Sequence, residues 1–404
     1  MKIRKSGVAA AVATLAVASL IGVSTPAIAD TPTLTVWYPS DKKATYSEAV
    51  AAWAKDNGVT VTMVGKDFGQ VRDQLKTAVP AGTGPDILLG AAHDWTGNLI
   101  AAGVVRPINL AASVAGGLTP ASLALFNVNG KQYGVPAYTE NLAFLRNVAK
   151  APSKVAKLSD IKNGELQIGY SGTNGDPYHF YPLQTAFGAP VFDRTSRGWA
   201  QSVAMDGANG AAFAKFLTKG EAFFGKANNW GNLACDFING KKKYWITGPW
   251  AIKDITGGNS ACKTGLKYGK FAIDSFPAGP TGIKGVQFLG GKGMFLTNSP
   301  STDVVRSTQL LSYLAGKDAQ VSFFNAEYAA PANKAALAVA SNDPVIGAFA
   351  AAGKNAVPMP AFVSMDSVFD KWGKTEAKII VGKSTNPSAD WTALNDAITA
   401  LFKG

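Results

Sequence analysis

Thr33-Leu34-Thr35-Val36-Trp37 begins a run of alternating signals that ends at Asp86-Ile87-Leu88-Leu89 and sets the fold class. The opening pentad reads as a strand. Lys43 to Asn57, with Tyr46, Val50 and Trp53 at helical spacing and Gly58 as the stop, reads as a helix. Val59 to Val64 is a second strand, Val71, Leu75 and Ala78 mark a second helix, and Asp86 to Leu89 is a third strand. Short strands alternating with helices at this spacing predict parallel βαβ units and a doubly wound α/β sheet.

The pattern resumes further on. Gln167 to Tyr170, Lys243 to Ile246, Phe271 to Phe276 and Val286 to Leu289 are strand candidates, and Gly210 to Leu217 is a helix. Ser301 or Thr302 can cap a helix running to Leu314, and Asp390 can cap one through Trp391, Leu394, Ile398 and Leu401. No repeat, heptad array or Pro/Ser-rich linker interrupts the chain, so two lobes in close contact are expected.

Composition narrows the classes. The 404 residues are 47% hydrophobic, with two Cys, two His and a formal charge of +12. That is too apolar for disorder and too Cys-poor for a disulfide scaffold. Two His and no CxxC argue against a zinc module, and no metal or other cofactor is expected. Lys2, Arg4 and Lys5 precede an apolar run from Val8 to Leu20, and Ala27-Ile28-Ala29 follows. This is the pattern of a secretory signal over 1–29, cleaved before Asp30. The mature chain then carries +9 and no cysteine near its start for lipid attachment. In an oxidising compartment Cys235 and Cys262 read as one disulfide, stabilising by about 3–4 kcal/mol on the loop-entropy account; the alternative is two separate buried thiols.

Ligands of open parallel sheets bind beyond the carboxyl ends of the strands. Trp37 is followed by Tyr38-Pro39-Ser40-Asp41-Lys42, Leu89 by Gly90-Ala91-Ala92-His93-Asp94-Trp95, and Ile246 by Thr247-Gly248-Pro249-Trp250. Gly175 to Tyr181 adds Asp176, Tyr178 and His179. Carboxylates such as Asp41, Asp94, Glu140 and Asp176 accept from paired hydroxyls, Lys42 donates, and Trp and Tyr faces receive the C–H face of a sugar ring. Enzyme motifs fare worse. Gly169-Tyr170-Ser171-Gly172 lacks nucleophile-elbow spacing and Gly290-Gly291-Lys292-Gly293 is no phosphate loop. No catalytic residue is assigned, although paired carboxylates leave an exported glycoside hydrolase as an alternative. Lys241-Lys242-Lys243 reads as a solvated face, and no nucleic-acid partner is expected.

In this order the loops resemble the maltose/maltodextrin-binding proteins of bacterial ABC importers, within the extracellular solute-binding family. The resemblance rests on Val36-Trp37 with Asp41-Lys42, Gly84-Pro85-Asp86-Ile87 with His93-Asp94, Asn129-Gly130-Lys131 with Pro136 and Glu140, Asp176-Pro177-Tyr178 with Pro182-Leu183, Gly248-Pro249-Trp250, and Pro358 and Pro360. It implies a two-lobed periplasmic-binding-protein fold, each lobe a mostly parallel sheet flanked by helices, with the ligand cleft between them. The lobes are expected over 30–138 with 287–330, and over 139–286 with 331–404. It further implies a monomeric, exported receptor in the periplasm or on the outer face of the envelope, passing malto-oligosaccharides to membrane permease subunits by hinge closure. Asp41, Lys42, Asp94, Glu140 and Asp176 would bond sugar hydroxyls, and Tyr178 and Trp250 would stack. Trp95 stands where the family has an arginine and offers a stacking face instead. The tryptophan expected before His93 is absent, and Phe362 or Phe369 stands for the aromatic after Pro360. A different oligosaccharide or an anionic glycan remains the alternative ligand.

Overall fold

The computed structural model describes residues 31–196, 198–258 and 262–403. The expected export signal, 1–29, lies outside the described residues.

The opening run folds as anticipated. β1 (Thr33–Pro39), α1 (Lys43–Asn57), β2 (Thr60–Lys66), α2 (Val71–Ala78) and β3 (Ile87–Ala92) follow in order. β1 pairs in parallel with both β2 and β3. Gly58 ends α1 at φ 61°, a left-handed conformation natural for glycine. Side chains of β1 alternate between two cores. Leu34, Val36 and Tyr38 join Tyr46, Val50 and Trp53 of α1. Trp37 faces the other way, onto Val71 and Leu75 of α2 and Leu88 of β3. Burying both sheet faces is what fixes this layer.

Later elements complete two sheets. They are β4 (Gly134–Asn141), β5 (Ala143–Asn147), β6 (Leu166–Ile168), α3 (Pro177–Ala186), α4 (Gly207–Leu217), β7 (Tyr244–Thr247), β8 (Phe271–Asp274), β9 (Phe288–Leu296), α5 (Val304–Leu314), α6 (Lys317–Glu327), β10 (Ala330–Pro331), β11 (Val357–Pro358), α7 (Met365–Ile380) and α8 (Pro387–Thr399). The first sheet has the order β10-β4-β9-β3-β1-β2, with β11 pairing β9; the second runs β8-β5-β7-β6. The chain therefore passes from the first sheet to the second after β4 and returns between β8 and β9.

The α/β two-lobed class holds, but the sheets are mixed rather than mostly parallel. β9 runs antiparallel to β3 and β4, and β5 antiparallel to β7 and β8. The long crossover strands re-enter each sheet from the other lobe, so they cannot keep the direction of the βαβ strands. Two caps also shift. Asp303, not Ser301 or Thr302, accepts the Arg306 N–H at the start of α5, and Asn386 caps α8. Asp390 instead bonds Lys378 and Ser384.

The cysteine expectation is corrected. Cys235 and Cys262 are both buried, and no disulfide joins them. Cys262 Sγ lies 3.7 Å from Asn239 Nδ2 and 3.9 Å from the Thr264 carbonyl. Among the described residues no single helix is long and apolar enough to cross a membrane, and no group of three His, Cys, Asp or Glu could hold a metal ion.

Candidate functional site

A cavity of about 710 Å³ lies between the two sheets, and all eight sequence-derived residues line it. Asp41 and Lys42 sit on a 3₁₀ turn at the end of β1, Asp94 and Trp95 on the turn after β3. Glu140 lies near the end of β4. From the second lobe come Asp176 and Tyr178 at the start of α3, and Trp250 on the turn after β7. The strand ends thus deliver most of the polar groups, as expected of an α/β sheet.

The charges are arranged in pairs. Lys42 Nζ lies 2.7 Å from Glu327 Oε2 and 3.4 Å from Asp41 Oδ2. Burial works against the Lys42 charge, yet Glu327, Asp41 and Glu140 together hold its pKa above the usual value. The second oxygen of Glu327 accepts from the Thr45 hydroxyl. Lys292 Nζ lies 3.1 Å from Glu140 Oε1. It also sits 4.9 Å over the Phe68 ring, which packs 4.8 Å from Trp95. Trp95 carries the Arg72 guanidinium on its ring at 5.4 Å, so its indole is held from two sides. Arg72 itself pairs with Asp366.

Two polar atoms of the wall have no protein partner. Asp94 Oδ1 and the Tyr178 hydroxyl are buried and make no hydrogen bond. Burial pushes Asp94 up to about 6, against the pull of Lys292 and Arg72. The Tyr178 hydroxyl is pushed well above its ordinary value by burial and then by Glu140, Asp176 and Asp94. Buried polar groups of this kind are costly unless a partner meets them. A ligand hydroxyl, both donor and acceptor, can satisfy either atom.

Asp176 lines the cavity, and both of its oxygens also have protein partners. Oδ1 accepts the His179 backbone N–H at 3.1 Å, capping α3, and Oδ2 lies 2.8 Å from His179 Nδ1. It braces the aromatic wall. Tyr178 stands 6.4 Å from Trp250 at 41°, and His179 meets Trp250 edge-on at 5.8 Å. Gly248 lies under the Trp250 ring; a Cβ there would stand 2.2 Å from it.

His93 is structural. The Gly291 N–H donates to Nδ1 at 3.2 Å, so the proton resides on Nε2, which faces the Met359 carbonyl at 3.3 Å. Burial lowers its pKa to about 4, with Lys292 adding to the effect. The imidazole stays neutral and ties β3 to β9 and to the segment before α7.

Several lining residues had no sequence signal strong enough to single them out. Lys292 sat in a glycine run that was tested only as a phosphate loop. Glu327 ends α6 without any motif, and Phe68 precedes α2 in a loop. Phe369 lines the cavity, whereas Phe362 packs against Phe192 and Phe402 away from it.

Comparison with known proteins adds the following. The family model for bacterial extracellular solute-binding protein matches residues 48–351. The maltooligosaccharide ABC transporter solute-binding lipoprotein of Streptococcus pneumoniae is 27% identical over 391 residues, 91% of this chain and 88% of the relative. The maltodextrin-binding protein of Bacillus subtilis is 25% identical, covering 88% and 87%. The galactooligosaccharide-binding protein of the same organism is 24% identical, covering 78% and 75%. Among solved structures, the Thermus thermophilus maltotriose-binding protein superposes with a TM-score of 0.78 at 21% identity, covering 91% of this chain and all of that one. The maltose-maltodextrin-binding protein of Alicyclobacillus acidocaldarius gives 0.75 at 22%, covering 91% and 99%.

Proposed function

The chain belongs to the bacterial extracellular solute-binding protein family, and from that premise we propose that it is the receptor of an ABC sugar importer, capturing malto-oligosaccharides in the cleft. The family is extracellular and non-enzymatic, so the hydrolase alternative falls and the chain acts outside the cytoplasm. A monomeric, exported protein handing sugar to membrane permease subunits is the corresponding cellular reading.

The observation that carries the substrate class is the pairing of buried, unpartnered acceptors with an aromatic wall. Asp94 Oδ1 of the first lobe and the Tyr178 hydroxyl of the second await hydroxyl partners, while Tyr178 and Trp250 offer ring faces from the second lobe. Asp41, Lys42 and Glu140 supply further charge-assisted bonds to hydroxyl groups. A neutral sugar chain meets all of these without burying a new charge. Both lobes contribute, so ligand contacts favour the closed arrangement of the two. The lobes would hinge where the chain crosses between sheets.

Calorimetric titration tests this reading. Maltose, maltotriose and longer α-glucans should release heat with micromolar or tighter affinity, and galacto-oligosaccharides should bind less well. Heat from galacto-oligosaccharides alone would move the ligand to that class. No heat from any α-glucan would end the malto-oligosaccharide reading.

A further inference from the structure

The basic charge of the chain is not spread evenly. Strand pairing sorts the loops of the second sheet into two ends. Tyr244, the first residue of β7, pairs with Arg146 near the end of β5 and with Leu166 at the start of β6; Asn147, the last of β5, pairs with Phe271, the first of β8. The segments 148–165, 236–243 and 263–270 therefore meet at one end of this lobe. Their backbones touch: Val148 donates to the Lys270 carbonyl at 3.0 Å, Asn147 to that of Lys243 at 2.9 Å, and Lys243 to that of Glu165 at 2.8 Å. Trp250 and Glu140 belong to the opposite end, where the cleft opens.

These three segments hold ten lysines (150, 154, 157, 162, 241, 242, 243, 263, 267 and 270) and three acids (160, 165 and 236), a net +7 of the chain's +12. Few of the lysines are neutralised. Lys154, 75% exposed, reaches Asp274; Lys241, 71% exposed, reaches Asp236; and Lys243 lies 2.7 Å from Glu165. Lys150, Lys157, Lys162, Lys263, Lys267 and Lys270 are exposed. Between Lys267 and Lys270 stands Tyr268, 40% exposed, its ring edge-on to Phe271. A field of one sign this dense attracts arrays of phosphate. An aromatic with a polar tip among the lysines suits the headgroup level of a bilayer.

We propose that this end of the second lobe docks on an anionic phospholipid surface, with Tyr268 at the headgroup level and the sugar cleft directed away from the bilayer. A flat lipid face matches lysines contributed side by side by three loops, and docking through this end leaves the cleft open to incoming ligand. The proposal does not depend on which sugar binds.

Vesicle co-sedimentation of the whole protein tests it. The protein should pellet with vesicles of phosphatidylglycerol and phosphatidylcholine but not with phosphatidylcholine alone. Binding should fall steeply between 50 and 500 mM salt. Each lysine near an anionic leaflet is worth about fivefold in partitioning. The variant carrying Lys157→Gln, Lys241→Gln, Lys267→Gln and Lys270→Gln should thus bind at least about 100-fold more weakly while keeping its melting temperature and sugar titration. Neutralising four exposed lysines of the other lobe, Lys43, Lys55, Lys131 and Lys317, should leave most binding intact. Equal losses from the two variants would show attraction by net charge alone and overturn the assignment of a face. No pelleting at 50 mM salt would overturn it outright. Capture of soluble long-chain polyphosphate more tightly than vesicles, per phosphate, would reassign the face to a soluble polyanion and overturn the lipid reading.

Discussion

Lys292 Nζ stands 3.1 Å from Glu140 Oε1, joining the middle of β9 to the end of β4 inside the cavity. Both side chains are largely shielded from water. Such a pair contributes little net stability while intact, but removing one partner strands the other.

Lys292→Met is therefore expected to leave Glu140 without its cation. Sugar affinity should fall about tenfold as Glu140 loses the cation that orients its carboxylate, with a loss of about 1–3 kcal/mol in stability. Adding Glu140→Gln should recover the stability and not the affinity. Calorimetry and thermal melts of the single and double variants measure both. Unchanged affinity in Lys292→Met would take Lys292 out of the site.

Asp94 gives the site a pH dependence. Its pKa in the unliganded protein is raised to about 6, chiefly by burial. A sugar hydroxyl donating to Oδ1 favours the charged carboxylate, so binding lowers this pKa and releases a proton. Affinity should accordingly rise as pH increases from 5 to 7 and level off above. By the same linkage, the unliganded fold is most stable with Asp94 protonated, at low pH, and loses that contribution as pH rises through 6. Asp94→Asn should flatten the affinity profile. Titrations in two buffers of different ionisation heat would reveal the released proton; proton uptake on binding would refute the assignment.

How far the sequence carried this structure can be judged on β9. Strand Val286 to Leu289 was visible from its apolar side chains, but its continuation through Gly290-Gly291-Lys292-Gly293 was not. Glycine gives no strand signal. Here it is required by packing: a Cβ on Gly293 would stand 2.3 Å from the Phe126 ring, and one on Gly291 2.7 Å from Leu125. Lys292 went unnoticed for the same reason, and Glu327 because its partner Lys42 lies 285 residues away in the chain. The loops after β1, β3 and β7 were legible because chemistry at strand ends is local in sequence. Pairings across the fold are not, and the mixed strand directions arise from them.

That packing yields its own test. Gly293→Ala forces a methyl against Phe126 in a filled core, and overpacking of this kind costs about 1–3 kcal/mol. The variant should melt several degrees lower. Combining it with Phe126→Leu should restore part of the loss. If Gly293→Ala melts like the parent, the close approach of ring and strand is not a constraint.

Glu376 on α7 is fully buried, and neither carboxyl oxygen has a hydrogen-bond partner. Burial, reinforced by the charge of Asp176, pushes its pKa well above the carboxylate range. The native state therefore holds a proton here that the unfolded chain gives up near its ordinary pKa of about 4.3. This contribution is complete below that value and is lost as pH rises toward the elevated folded pKa. Glu376→Gln keeps the shape and removes the ionisation. It should match the parent at pH 4 and exceed it by a few degrees at pH 8 in thermal melts. A parent whose stability advantage over Glu376→Gln grows with pH would mean that Glu376 is charged and partnered in the fold, contrary to its burial.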